Sequence, residues 1–173
     1  MRLFLSCAVP QDIADYVREL AKQLPDAKLT VPKNIDLTIV FLGDVQDEKL
    51  DEIKQRLSKI RFTSFHAMLN GIGVFTEDFL RVVWAGLSPS EKFDELHALA
   101  SEALNGPESR FQAHLTIARI KYVADKEKFL QAVKKVKVEP KTFTIDRLIL
   151  FKSTLGKEGA THEPVLEIKA QDL

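Results

Sequence analysis

Residues 35–44 read Ile35-Asp36-Leu37-Thr38-Ile39-Val40-Phe41-Leu42-Gly43-Asp44, a β-branched apolar run closed by a Gly-Asp turn. Such residues suit a pleated, largely buried surface, and the run predicts a strand over 35–42. Its first part recurs: His114-Leu115-Thr116-Ile117 lies 78 positions after Asp36-Leu37-Thr38-Ile39. Four residues matching at three positions make a weak repeat alone. It gains weight because each copy sits on a strand-like stretch followed, within about ten residues, by a helix-like one, which points to an internal duplication.

Strand parity gives the repeat a chemical meaning. Side chains two apart share a face, so Asp36 goes with Thr38 and His114 with Thr116, while Leu37, Ile39, Leu115 and Ile117 point into apolar packing. Two such strands side by side about a pseudo-twofold axis would bring a titratable group and a hydroxyl from each into one cleft. Threonine hydroxyls can donate to phosphate oxygens, and a histidine near its reference pKa exchanges protons at neutral pH. By the same parity Arg119 falls on the face of Leu115 and Ile117, and would need a bulge or a long side-chain path to reach the cleft.

Outward from these strands, helices and strands interleave. Arg2 to Val9 predicts a strand, and Ile13, Val17, Leu20 and Leu24 mark one face of a helix ending near Pro25. Leu50, Ile53, Leu57 and Ile60 mark a second helix, and strands are expected at 65–75 and 80–87. Ser88-Pro89-Ser90-Glu91 reads as a capping box opening a third helix, with Asn105-Gly106-Pro107 as its stop. Strands over 111–120, 142–151 and 164–169 and a helix over 125–136 complete the expected order.

The chain has 173 residues, 45% of them hydrophobic and 29% charged, an ordinary globular balance for one domain over 1–173. Twenty-five basic and twenty-five acidic residues cancel, so any nucleic-acid contact must be local. The single cysteine, Cys7, sits in an apolar run and reads as a buried thiol that can form neither an intramolecular disulfide nor a thiolate cluster. The apolar start, soon interrupted by Pro10 and Gln11, is too short for a signal peptide or membrane span, and a cytoplasmic monomer without membrane or obligate protein partner is expected. His66 and His97 read as surface or boundary positions, and His162, after Gly159-Ala160-Thr161, as a loop residue that could border the cleft. Lys134, Lys135 and Lys137 read as a solvated face.

The paired motifs and their flanks resemble the two-histidine (2H) phosphoesterases, in particular the RNA 2′,3′-cyclic phosphodiesterase branch, also called 2′-5′ RNA ligases. Val31 to Val45 resembles that branch's first motif, Arg81 to Leu87 its central strand, Arg110 to Arg119 its second motif, and Leu150 to Leu155 its closing strand. The resemblance implies a bilobal α+β fold of two antiparallel sheets with flanking helices about a pseudo-twofold cleft. It also implies hydrolysis of RNA 2′,3′-cyclic phosphate ends, or of nucleotides carrying them, to 2′-phosphomonoesters, with no metal or other cofactor.

Carried over by position, His114 is the base for the attacking water. Thr38 and Thr116, with Arg119 as a further candidate, hold the phosphate, and Asp36 stands where the family has its proton-donating histidine. The family more often has an aromatic residue at position 162. An aspartate is almost wholly ionised at neutral pH and is a poor acid, so the expectation is weakened or altered activity. Two escapes stay open: a protonated Asp36, or an Asp36–His114 pair with rearranged roles. The alternative is a non-catalytic module, or an inactivated variant, binding nucleotides or RNA ends in the same cleft.

Overall fold

The strand formers around the two motifs build two antiparallel sheets. A computed structural model describes residues 1–25, 27–106 and 109–171. In chain order these form β1 (Arg2–Cys7), α1 (Gln11–Ala21), β2 (Lys28–Thr30), β3 (Leu37–Asp44), a 3-10 turn (Asp47–Lys49), α2 (Leu50–Leu57), β4 (Phe65–Val74), β5 (Val82–Ser88), α3 (Ser90–Ala103), β6 (His114–Tyr122), α4 (Lys126–Lys135), β7 (Thr142–Ile145), β8 (Arg147–Gly156) and β9 (Gly159–Lys169). One sheet runs β3-β1-β8-β9 and the other β2-β6-β5-β4-β7.

The repeat extends well beyond the motifs. In the β1–β3 pair, Cys7 faces Leu37, Ser6 faces Thr38, Leu5 faces Val40 and Phe4 faces Phe41. In the β5–β6 pair, Ala85 faces Leu115, Trp84 faces Thr116, Val83 faces Ala118 and Val82 faces Arg119. Every one of these positions is displaced by the same 78 residues. The register slips between Leu5 and Ser6 in one pair and between Val83 and Trp84 in the other, which leaves Ile39 and Ile117 as equivalent extra residues of two β-bulges. Strand pairing and bulge thus recur together, as a duplicated β-unit requires.

Helices cross between the halves. The helix α1, which follows β1, packs on β6, and α3, which follows β5, packs on β3. Ile13, Val17 and Leu20 of α1 and Phe93, Leu96 and Ala100 of α3 are buried in the process. One apolar core therefore runs through both halves, from Leu3 and Leu5 to Leu115 and Ile117. Each wholly buried leucine or isoleucine in it contributes about 1.5–3 kcal/mol relative to an exposed one.

Three local expectations need correction. The capping box does not form, because Ser88 stays in β5 opposite Met68; Pro89 takes the N-cap position and no side-chain cap bond forms there. The expected strand over 142–151 breaks at Asp146 into β7 and β8, which join different sheets. The third helix does stop as expected: Asn105 adopts φ +52, its N–H bonds Glu102 O, and the Gly106 N–H bonds Ser101 O, the paired closure of a Schellman motif. Pro107 lies outside the described residues. The remaining correction concerns His162, which is no loop residue. The final strand begins at Gly159, and β8 and β9 form a long hairpin in which His162 pairs with Ser153.

Candidate active site

The two bulges decide which side chains reach the space between the motif strands, which approach one another directly. In β6 the alternation runs half-buried His114, buried Leu115, half-buried Thr116, buried Ile117, and then buried Ala118 before exposed Arg119. Two consecutive buried residues are the mark of the extra residue: the bulge at Ile117 reverses parity and turns Arg119 to the face of His114 and Thr116. Simple alternation had placed it opposite. The same reversal at Ile39 turns out Phe41, which is 63% exposed although it shares sequence parity with buried Leu37 and Ile39.

His114 begins β6. Its Nδ1 lies 2.8 Å from Gln112 O, a contact that assigns the proton to Nδ1 and leaves Nε2 with its lone pair. Phe75 stands edge-on to the ring, with centroids 4.9 Å apart, and packs in turn on Trp84 at 5.4 Å. Burial pushes the His114 imidazole below its ordinary pKa; the Gln112 contact opposes this and the Arg119 charge adds to it. A ring held neutral at neutral pH, with one free nitrogen, is a proton acceptor.

Asp36 immediately precedes β3, with its side chain 25% exposed. Burial raises its pKa, while His162 and then Arg119 pull the other way. Its neighbour is His162 rather than His114. Asp36 Oδ2 lies 3.2 Å from His162 Nδ1, at a side chain 13% exposed. The contact is close but bent, so His162 Nδ1 makes no well-formed hydrogen bond. The His162 ring stands edge-on to Phe4, with centroids 4.7 Å apart. The Arg119 charge acts on both Asp36 and His114.

The hydroxyls follow the ladder. Thr38 is half-buried opposite Ser6, and Thr116 is half-buried opposite Trp84. Ser6 is 1% exposed, and its Oγ and the Trp84 indole nitrogen are buried without hydrogen-bond partners. Thr38 and His114 also border a cavity of about 670 Å³ walled by Phe41, Phe75, His97 and Phe111 among others. His97 is fixed there by its Nδ1 contact to Ile39 O at 2.8 Å and by parallel stacking on Phe111 at 4.5 Å. The histidine thus holds the carbonyl of the bulged residue. Among the described residues no three His, Cys, Asp or Glu side chains gather as a metal-binding group.

The sequence reading missed Phe41, Phe75, Trp84, Ser6 and the nearness of His162 to Asp36. For His162 the sequence offered only that it could border the cleft, since the 126 residues between it and Asp36 carry no local signal of their contact.

Known proteins share this architecture. The chain superposes on Escherichia coli LigT complexed with 3′-AMP with a TM-score of 0.79 at 22% identity, covering 99% of this chain and 98% of that one. A structure from Thermus thermophilus gives a TM-score of 0.73 at 26% identity, covering 98% and 97%. In sequence it is 32% identical to the RNA 2′,3′-cyclic phosphodiesterase of Methanocaldococcus jannaschii over 96% of this chain and 99% of that protein. It is 35% identical to that of Archaeoglobus fulgidus over 70% and 73%. The sequence profile of the 2′-5′ RNA ligase superfamily matches residues 9–157. With the duplicated strands and the matching fold already in hand, these likenesses mean that the chain belongs to the 2′-5′ RNA ligase superfamily, the two-histidine phosphoesterases.

Proposed function

We propose that this protein hydrolyses 2′,3′-cyclic phosphate ends of RNA, or of nucleotides, to 2′-phosphomonoesters, through its side chains and without a metal. The observation that carries the reading is His114: a half-buried imidazole whose Nδ1 is tied to Gln112 O and whose Nε2 is free, on the strand that also presents Thr116 and Arg119. Relatives named RNA 2′,3′-cyclic phosphodiesterase support it over nearly the whole chain.

Thr38 and Thr116 donate to the phosphate oxygens and the Arg119 cation offsets their charge, a geometry that favours the more highly charged pentavalent state. His114 Nε2 takes a proton from water, the water oxygen bonds to phosphorus, and the bond to O3′ breaks. The neighbouring cavity, about 670 Å³ and lined by Phe41, Phe75 and Phe111, has the size and aromatic lining to receive a nucleoside, on whose base a phenyl ring can stack. The 3′-AMP in the complex of E. coli LigT is a molecule of that size.

A second reading rests on Asp36. A carboxylate in the proton donor's place fits a cleft that binds RNA ends without turning them over. Incubation with an oligonucleotide ending in a 2′,3′-cyclic phosphate, beside His114→Ala, separates the two. Turnover lost in the variant supports hydrolysis. Binding of the oligonucleotide with no turnover in either protein replaces the hydrolytic reading by the binding one.

A further inference from the structure

An enzyme that splits a phosphodiester at neutral pH must supply a proton to the departing ribose oxygen, and Asp36 is the wrong group for that when ionised. A histidine nevertheless reaches this corner of the site, from the far end of the chain. The β8–β9 hairpin is tied to the segment that leads into β3: Asn34 Nδ2 donates to Ala160 O at 2.9 Å. Two residues further on, His162 meets Asp36 with Nδ1 3.2 Å from Oδ2. Its ring is wedged edge-on against Phe4 at 4.7 Å and tilted on Phe151 at 5.9 Å.

We propose that His162 is the proton donor of this enzyme, with Asp36 as the positioning carboxylate that orients its ring, so that the missing motif histidine is replaced by a dyad from two strands. The proposal rests on the hydrolytic reading given above. Nδ1 is a buried atom, so the 13% exposure of the side chain belongs to the rest of the ring. A carboxylate at Nδ1 holds the proton there, directs Nε2 away from itself, and stabilises the imidazolium, the division of labour found in Asp-His pairs of hydrolases. A contact that is close but bent without substrate is usual for catalytic hydrogen bonds, which tighten when the substrate is bound.

The step balances. The attacking water bonds to phosphorus and gives its proton to His114 Nε2. The P–O3′ bond breaks with its electron pair on O3′, and that oxygen takes the proton from His162 Nε2. His162 ends neutral and His114 ends charged, and exchange with solvent restores both. On this account Asp36 is no lesion: with a histidine at 162 it becomes half of a relocated acid, and the site again holds two histidines.

The test compares two substrates of one shape: a nucleoside 2′,3′-cyclic phosphate, and its analogue with sulfur in place of the bridging O3′. A departing thiolate needs no proton, since a thiol has a pKa of about 8.5. His162→Gln, and His162→Phe, which keeps a ring against Phe4, should lower kcat on the oxygen substrate by about 10²-fold or more while leaving the sulfur substrate within about threefold of wild type. Asp36→Asn should fall in the same selective way. In variants that melt like wild type, unchanged turnover of the oxygen substrate, or equal losses on both substrates, overturns the role of His162 while leaving hydrolysis by His114 intact. Wild-type protein inert toward both substrates overturns the hydrolytic reading itself, and the dyad with it.

Discussion

Ile39 and Ile117 are the same residue of a duplicated strand, each the unpaired extra member of a β-bulge and each one position beyond a motif threonine. The two bulges are equivalent, so the asymmetry of the site lies in the side chains that follow them. Beyond each, strand parity reverses, and the duplicated positions then hold Phe41 in one half and Arg119 in the other. One half offers an aromatic face beside Thr38; the other offers a cation beside His114.

His114→Ala should lower kcat toward a 2′,3′-cyclic phosphate by about 10²–10⁴-fold, the usual worth of a positioned general base. A steady-state assay of wild type and variant checks it. His114→Ala at wild-type rate would remove this strand from the chemistry.

Thr38→Val and Thr116→Val exchange a hydroxyl for a methyl of nearly the same shape and leave the ladders with Ser6 and Trp84 in place. A hydrogen bond to a charged group contributes about 1.5–3 kcal/mol, so each variant should lose about ten- to a hundredfold in kcat/KM with little change in thermal stability. Calorimetry and kinetics on the same preparation test both halves of the statement.

The pH profile follows from the imidazole. His114 must be neutral to accept a proton, and burial lowers its pKa from the ordinary 6.5, so the loss of kcat/KM on acidification should set in below that pH. Arg119→Leu removes a charge that lowers this pKa. The variant should therefore show an acid limb displaced upward, together with a higher His114 pKa in an NMR titration of the ring. An acid limb and ring pKa that stay in place, or move downward, would contradict an effect of the Arg119 charge on His114.

Leu115 is wholly buried in β6, the strand on which the helix α1 packs. Leu115→Ala should destabilise the fold by about 2–5 kcal/mol, as transfer and cavity costs combine. Denaturant unfolding measures it.

Much of this architecture was legible in the sequence. The 78-residue repeat, the strand-helix alternation and the burial of Leu37, Leu115 and their neighbours follow from residue type and period. What was hidden was geometry that depends on one residue more or less. Nothing in the composition of Leu37-Thr38-Ile39-Val40 or Leu115-Thr116-Ile117-Ala118 announces a bulge, so alternation sent Arg119 to the wrong face. Ser88-Pro89-Ser90-Glu91 had the letters of a capping box, but the ladder to Met68 claimed Ser88 first. The meeting of Asp36 and His162 spans 126 residues and depends on where a long hairpin ends, which no local pattern encodes.

The most direct test of the central claim is the position of the phosphate on the product. Phosphorus NMR of an oligonucleotide with a 2′,3′-cyclic end, after incubation with the protein, should show conversion to the 2′-phosphomonoester alone. An unchanged cyclic phosphate, or the mixture of 2′- and 3′-monoesters that uncatalysed hydrolysis gives, would contradict it.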